Sequence, residues 1–401
     1  MVLYRILMAL ALPALLLVLW RRGPLAERLG FGAAPAHGPT VWLHGASNGE
    51  LASALWVLRD LLKSQPGLQV LVTVNTATAR AMVAAWGLPG VVAALAPLDA
   101  GGAAGRVLRR WHPRAHVIIE NELWPARIAD AHARGIPVLV IGARLSERSA
   151  RRWGKLRGIM ARTLARLTWV SAQDRGSLER LLALGLPAAA AGPVLALKAF
   201  GPTIAMPAPF PPPAPRARTL LAASTHEGEE AVVLDAFVAA GSQFDHLIIA
   251  PRHPRRAGDI AALIAASGLA FAQRSKGDVP GPETLVHLAD TMGEMDHWYA
   301  MAGVCVIGGT FADKGGHTPW EPARHRAAIL HGPSVANFAA PFAALDAGGG
   351  AIAVTKDTLA PVLAQMDAAR QQAMAAMASE TLRPEGDSGA LVAAILAAIR
   401  R

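Results

Sequence analysis

Seven clusters of polar, chemistry-bearing residues each follow an apolar run of strand character. Three lie in the N-terminal half: His44-Gly45-Ala46-Ser47-Asn48-Gly49-Glu50, Glu120-Asn121-Glu122-Leu123-Trp124-Pro125, and Ala143-Arg144-Leu145-Ser146. Four lie in the C-terminal half: Ala223-Ser224-Thr225-His226-Glu227-Gly228-Glu229-Glu230, Pro251-Arg252-His253-Pro254, Asp290-Thr291-Met292-Gly293-Glu294, and Gly308-Gly309 through Gly315-Gly316-His317-Thr318-Pro319-Trp320-Glu321-Pro322. A carboxylate such as Glu50 can take a proton from a hydroxyl, or it can simply complement the dipole of the helix it begins. Arg252 can grip a phosphate or carboxylate in a bidentate way. The paired glycines let backbone N–H groups come close to a phosphate, and Glu321 can accept hydrogen bonds from a ribose diol. His44, His226, His253 and His317 lack ligand spacing, so no metal is expected. No Walker A sequence, Gly-x-Ser-x-Gly elbow or Gly-x-Gly-x-x-Gly fingerprint stands where it would count.

The elements that carry these clusters follow from hydrophobic periodicity. In Val41-Trp42-Leu43 an apolar run stops in turn-prone residues, and a helical pattern (Leu51, Ala52, Leu55, Trp56, Leu58) begins at once, placing Glu50 where a strand hands over to a helix. Strands are expected near 41–44, 70–75, 91–96, 116–120, 138–142, 168–172 and 188–192. After a break they resume near 219–224, 246–250, 269–273, 284–288, 304–308, 327–331 and 351–354. Helical patterns fill the intervals, which predicts two parallel sheets wrapped by helices. Residues 201–215 contain seven prolines and can continue neither a helix nor a sheet interior. The expected organisation is therefore a hydrophobic N-terminal segment over 1–30, an α/β domain over 31–200, a Pro-rich linker over 201–217 and a second α/β domain over 218–401. A cleft is expected between the carboxyl ends of the two sets of strands. The final pattern, Leu391 to Ile399, could close that cleft or pack back on the first domain.

Charge divides the chain. Residues 1–200 hold 24 Lys+Arg against 10 Asp+Glu (+14), and the remainder holds 15 against 19 (−4). The N-terminal half is thus expected to face something anionic, such as a membrane surface or a phosphorylated lipid. Nucleic acid is not expected, because aromatics are sparse there and no zinc-finger or stacking pattern is present. Ile6 to Trp20 is an uncharged run of 15 residues followed by Arg21-Arg22. It is shorter than the ~20 residues that span a hydrocarbon core and suits a marginal span or monotopic anchor, with the body on the cytoplasmic side. Arg148, Arg151, Arg152, Lys155, Arg157, Arg162 and Arg166 crowd one expected helical segment with Trp153, Leu156 and Ile159, giving a basic amphipathic face suited to anionic headgroups. Cys305 lies in the run Val304-Cys305-Val306-Ile307 and reads as a buried structural thiol.

Taken in order, the seven clusters resemble the 3-deoxy-D-manno-octulosonic acid (Kdo) transferases of Gram-negative bacteria, and the resemblance runs over essentially the whole chain. It implies a GT-B glycosyltransferase of two Rossmann-like domains. Such an enzyme moves Kdo from CMP-Kdo to a lipid A precursor with inversion, at the cytoplasmic face of the inner membrane, with no cofactor beyond the donor substrate. It further implies Glu50 as general base and Glu120 with Lys198 as stabilisers of the transition state. Donor contacts are implied at Pro251, Arg252, Met292, Gly293, Glu294, Thr318, Pro319, Trp320 and Glu321. Three positions depart from the family pattern. Gly192 to Lys198 is longer than the usual Gly-Asn-x-Lys, Asn48 replaces a small apolar residue, and Thr318 replaces an asparagine. A related GT-B enzyme with a different nucleotide sugar or acceptor, a nucleotide-sugar epimerase on the same fold, and a non-catalytic lipid-binding relative are the alternatives.

Overall fold

The computed structural model describes residues 2–20, 24–32, 38–200, 209–383 and 387–400. Of the expected Pro-rich linker, residues 201–208 lie outside the described residues, as do Arg21 and Arg22. Two compact units result, the first formed by 1–201 with 384–401 and the second by 202–383.

In the first unit six parallel strands, β1 (Thr40–His44), β2 (Gln69–Val74), β3 (Val91–Leu95), β4 (Ala115–Ile119), β5 (Val138–Ala143) and β6 (Trp169–Ala172), lie in the order β3-β2-β1-β4-β5-β6. Every residue of β1 is buried, as expected of a central parallel strand covered on both faces. Alternation sends Val41 and Leu43 to one face, with the helix Asn48–Ser64, and Trp42 to the other, with the helices Ala103–Trp111 and Pro125–His132. Strand order reverses between β1 and β4, where an open α/β sheet leaves a crevice beyond its strand ends.

The second unit holds β7 (Thr219–Thr225), β8 (His246–Pro251), β9 (Phe271–Gln273), β10 (Val286–Leu288), β11 (Val304–Ile307), β12 (Ala328–His331) and β13 (Ala351–Ala353). Their order is β13-β12-β11-β7-β8-β10-β9, again all parallel, with the reversal between β7 and β11. Leu220 and Ala222 face one core cluster, Leu221 and Ala223 the other. Cys305 is fully buried on β11, and burial pushes its thiol upward, as suits a packing residue.

Thirteen of the fourteen expected strands form. The exception is 188–192, a short 3₁₀ turn (Ala188–Ala190) that touches the sheet only through the bridge Val170 to Ala191. Gly192 explains the close passage, because a Cβ there would sit 2.5 Å from the Trp169 ring. The expected single basic helix is two, Glu147–Gly154 and Arg157–Leu164, broken after Gly154. The first buries none of its residues.

The last helix, Gly389–Arg400, belongs to the first unit. Its stripe Leu391, Val392, Ile395, Ala398 and Ile399 enters the core that holds Val41, Leu43 and Leu51, and Arg114 donates to the Ile399 carbonyl at 3.4 Å. The N-terminal helix Val2–Leu19 is tied to the same unit by Tyr4 Oη to Asp99 Oδ2 (2.8 Å) and by an Arg5–Asp130 ion pair. Among the described residues no helix is long and apolar enough to cross a membrane. Leu7, Leu10, Leu17 and Trp20 of this segment stand in solvent.

Candidate active site

The carboxylates singled out from sequence leave the two strands that flank the order reversal of the first sheet. Ser47 caps the helix Asn48–Ser64, accepting the Glu50 N–H at 3.3 Å. The Glu50 carboxylate turns back, accepting the Ala46 N–H at 2.6 Å and the Ser47 hydroxyl at 3.2 Å. Glu50 is therefore both a helix-capping carboxylate and a half-buried one. Burial, reinforced by the charges of Glu120 and Glu122, pushes its carboxyl up to about 7, against the pull of the Ala46 amide. That is the range in which a carboxylate can serve as a general base near neutral pH.

Glu120 follows β4 directly and takes a left-handed backbone, φ 57°, while its N–H holds the Ile141 carbonyl at 3.0 Å. A non-glycine residue in that conformation costs of order 1–3 kcal/mol and is typically found where geometry serves function. Two residues on, Glu122 Oε2 accepts from Trp124 Nε1 (2.6 Å), Asn75 Nδ2 (3.2 Å) and His44 Nε2 (3.3 Å). Burial opposes its charge, but these hydrogen bonds win and hold the Glu122 carboxyl down at about 2. His44 is fully buried, and burial together with the Arg127 charge lowers it to about 4 in spite of Glu122. His44 is thus neutral at pH 7, and its contact with Glu122 is a hydrogen bond to an anion rather than an ion pair. With the proton on Nε2, toward Glu122, Nδ1 accepts the Thr73 hydroxyl at 2.9 Å while Thr73 Oγ1 accepts Trp42 Nε1–H at 2.8 Å, and the Thr73 carbonyl, 3.0 Å from Nδ1, then receives no hydrogen from the ring.

Lys198 lies in the turn Leu197–Ala199, in the same unit. Leu197 is buried, seated where a Gly142 side chain would otherwise be, and its carbonyl accepts Trp56 Nε1–H from the Glu50 helix at 3.3 Å. The longer run from Gly192 is thereby fixed in place. Neither His44 nor Glu122 was assigned a role from sequence. The Glu-x-Glu spacing at 120–122 was the available signal.

The expected donor residues cluster in the second unit beyond β8, β10 and β11. Pro251 ends β8, and the Arg252 N–H holds the Thr225 carbonyl at 3.0 Å. Arg256 pairs with buried Glu230 through two hydrogen bonds, 2.7 and 3.0 Å, and so anchors this loop to the helix Glu229–Ala239. Met292 is exposed and Gly293 takes φ 89°. Glu294 is locked by Arg274, whose Nη2 lies 2.7 Å from Oε1, and by the Thr291 hydroxyl; Arg274 first and Thr291 with it hold that carboxyl below the usual range. Thr318 and Pro319 are buried, and the Thr318 hydroxyl accepts the Trp320 N–H at 3.4 Å. Glu321 Oε2 accepts the phenol of buried Tyr299 at 3.4 Å.

The glycine pairs do not present free amides, contrary to expectation. Gly308 N–H donates to the Ala223 carbonyl (2.8 Å) and Gly309 N–H to Glu229 Oε2 (2.7 Å). Gly315 N–H donates to Ser334 Oγ (3.1 Å) and Gly316 N–H to the Gly309 carbonyl (2.9 Å). The glycines are needed for close packing instead, since a Cβ on Gly308 would lie 2.4 Å from the Ser224 carbonyl oxygen.

With this geometry in hand, residues 24–199 match the family model described as 3-deoxy-D-manno-octulosonic-acid transferase (kdotransferase). A 3-deoxy-D-manno-octulosonic acid transferase of Bordetella pertussis is 35% identical over 353 residues, covering 81% of each chain. The chain belongs to the Kdo transferases. It is accordingly a glycosyltransferase. A Kdo transferase of Haemophilus influenzae is 31% identical over 329 residues, covering 79% of this chain and 76% of its own. The fold also matches UDP-GlcNAc 2-epimerase from Neisseria meningitidis, with a TM-score of 0.60 at 13% identity over 90% of this chain and 100% of the other. That likeness is one of architecture, two parallel α/β units of GT-B type. In this Kdo transferase Glu50 is a half-buried carboxylate just beyond β1, raised to about 7. The second unit places Arg252, Glu294 and Glu321 in segments beyond the ends of β8, β10 and β11.

Proposed function

We propose that this Kdo transferase moves Kdo from CMP-Kdo to a hydroxyl of a lipid A precursor with inversion at the anomeric carbon. The observation that carries the reading is Glu50: a carboxylate at the end of β1, raised to about 7 and oriented by the Ala46 amide. The acceptor hydroxyl gives its proton to Glu50 as its oxygen bonds the anomeric carbon, while the bond from that carbon to the phosphate oxygen breaks and its electron pair leaves with CMP. Glu120 and Lys198 stabilise the charge that develops at the sugar. Arg252 and Glu294 meet the donor, and Glu321 holds its ribose. The exposed apolar residues of the N-terminal helix and the basic helices between β5 and β6 support a membrane-associated protein at the cytoplasmic face of the inner membrane, where the phosphorylated acceptor resides.

The test is incubation with CMP-Kdo and a tetra-acylated lipid A precursor, followed by mass spectrometry of the product. Mass increments of Kdo are expected from the wild type and not from Glu50→Gln. Product from a UDP-sugar but not from CMP-Kdo, or unchanged transfer by Glu50→Gln, sinks the reading.

A further inference from the structure

The second unit holds two histidines in direct contact beyond the strands that flank its order reversal. His226 follows β7 and His317 lies in the loop after β11. Their Nε2 atoms are 3.0 Å apart with the rings nearly parallel, and His253 stands edge-on to His226 with ring centroids 5.7 Å apart. What fixes these two loops is Glu229, which is 2% exposed. Its Oε2 accepts the N–H groups of His226 (2.8 Å) and Gly309 (2.7 Å), and its Oε1 those of Phe311 (2.8 Å) and Ala312 (3.1 Å). Four donors fill the acceptor sites of a carboxylate. A nest of successive backbone amides is an anion site, and here the protein's own anion occupies it. A donor phosphate therefore cannot use those amides, and another group must recognise it.

We propose that the imidazole pair His226–His317 recognises the donor phosphate, with Glu229 as the positioning residue that holds the two loops in register. This rests on the CMP-Kdo reading above. With Nε2 facing Nε2, the neutral pair shares one hydrogen, one ring donating and the other accepting. A second proton puts a hydrogen on both nitrogens, so the rings must part and both N–H groups then converge on a common acceptor. The charged groups acting on His226 are Arg252, Lys314 and, when protonated, His253, opposed by Glu229, whose charge is already met by four amides. Burial first, then these cations, hold His226 below its usual range. These surroundings disfavour a second proton on His226, and a phosphate held by the two rings favours it, so phosphate binding and proton uptake are linked. During transfer the electron pair of the breaking bond adds charge to the phosphate, and the two N–H hydrogen bonds strengthen. No proton has to leave the pair in that step. The proton taken up on binding is released when CMP departs, and the acceptor's proton resides on Glu50.

The experiment is calorimetric titration of the full-length protein with CMP and with cytidine, in two buffers of different ionisation enthalpy, at pH values from 6 to 8.5. The wild type is expected to bind CMP more tightly than cytidine and to take up close to one proton with CMP alone. His317→Gln and His226→Gln are each expected to lose at least about tenfold of the CMP affinity and the proton uptake, while cytidine affinity stays unchanged. The retained cytidine binding shows that the fold persists, and His317→Asn provides a second variant at that site. Glu229→Ala is expected to weaken CMP binding, with formate restoring it by refilling the nest. Histidine variants that keep both the phosphate preference and the proton uptake overturn the inference while leaving the CMP-Kdo reading intact. Proton uptake on binding UMP as tightly as CMP supports the histidine pair and counts against a cytidine-specific donor.

Discussion

Glu122 Oε2 lies 3.3 Å from His44 Nε2, and the two groups are shifted in ways that leave the histidine neutral and the carboxylate ionised. The same anion faces Glu50, where it adds to the effects that raise the Glu50 carboxyl. The hydrogen-bond network that keeps Glu122 ionised thus adds to burial and Glu120 in raising Glu50.

Glu50→Gln should lower kcat by roughly 10²–10⁴-fold, the usual loss on removing a general base. In the wild type kcat should rise with pH and level off above about 7, because the base acts ionised. The stability effect has the opposite sense. A folded-state value raised from 4.5 to about 7 contributes stability that is full below pH 4.5 and lost as pH rises through 7. Thermal melts should therefore show Glu50→Gln more stable than wild type at pH 8, by on the order of 2 kcal/mol, and equal to it at pH 4.

Glu122→Gln should be destabilised at pH 7 by on the order of 2 kcal/mol. Here the folded-state value is depressed from 4.5 to about 2, so the contribution is present above pH 4.5 and lost as pH falls toward 2. Denaturant titrations of the two proteins should converge over that range. Removal of the charge should also move the acid limb of the kcat profile to lower pH; an unmoved limb would show that Glu122 does not tune Glu50.

Lys198→Ala should reduce kcat by at least about tenfold with little change in melting temperature, because buried Leu197 holds the turn. Leu197→Ala is the contrasting variant, expected to cost roughly 2–5 kcal/mol of stability. Full activity in Lys198→Ala would remove this residue from the transition-state role.

Tyr299→Phe removes one hydrogen bond to Glu321 and leaves ring volume unchanged. A neutral-to-charged hydrogen bond of about 1–2 kcal/mol predicts a rise in the Kd for CMP of about five- to thirtyfold. Calorimetric titration measures it, and an unchanged Kd would place Glu321 outside the ribose contact.

Leu10 and Leu17 stand in solvent on the N-terminal helix, so Leu10→Glu with Leu17→Glu should abolish co-sedimentation with anionic vesicles. Wild-type binding should weaken as salt is raised, through screening of the basic helices. Retained binding by the double variant would assign the membrane contact elsewhere.

Much of this protein was legible in the sequence because its strands are short apolar runs ended by turn residues. Burial of a parallel sheet on both faces requires such runs. Thirteen strands, the two α/β units and the placement of Glu50, Arg252 and Glu294 beyond strand ends all follow from that local pattern. The expected strand at 188–192 misled because Ala188-Ala189-Ala190 is apolar without being strand-forming. Tertiary structure alone decided the rest. It paired the glycine amides internally, placed the Glu229 carboxylate in an anion nest, and set Glu120 in a left-handed conformation. It also put the last helix in the core of the first unit. Hydrogen-bond partners and desolvation depend on residues tens to hundreds of positions apart. The sequence could therefore place Glu50 where a strand hands over to a helix, but only its packed surroundings raise that carboxyl to about 7.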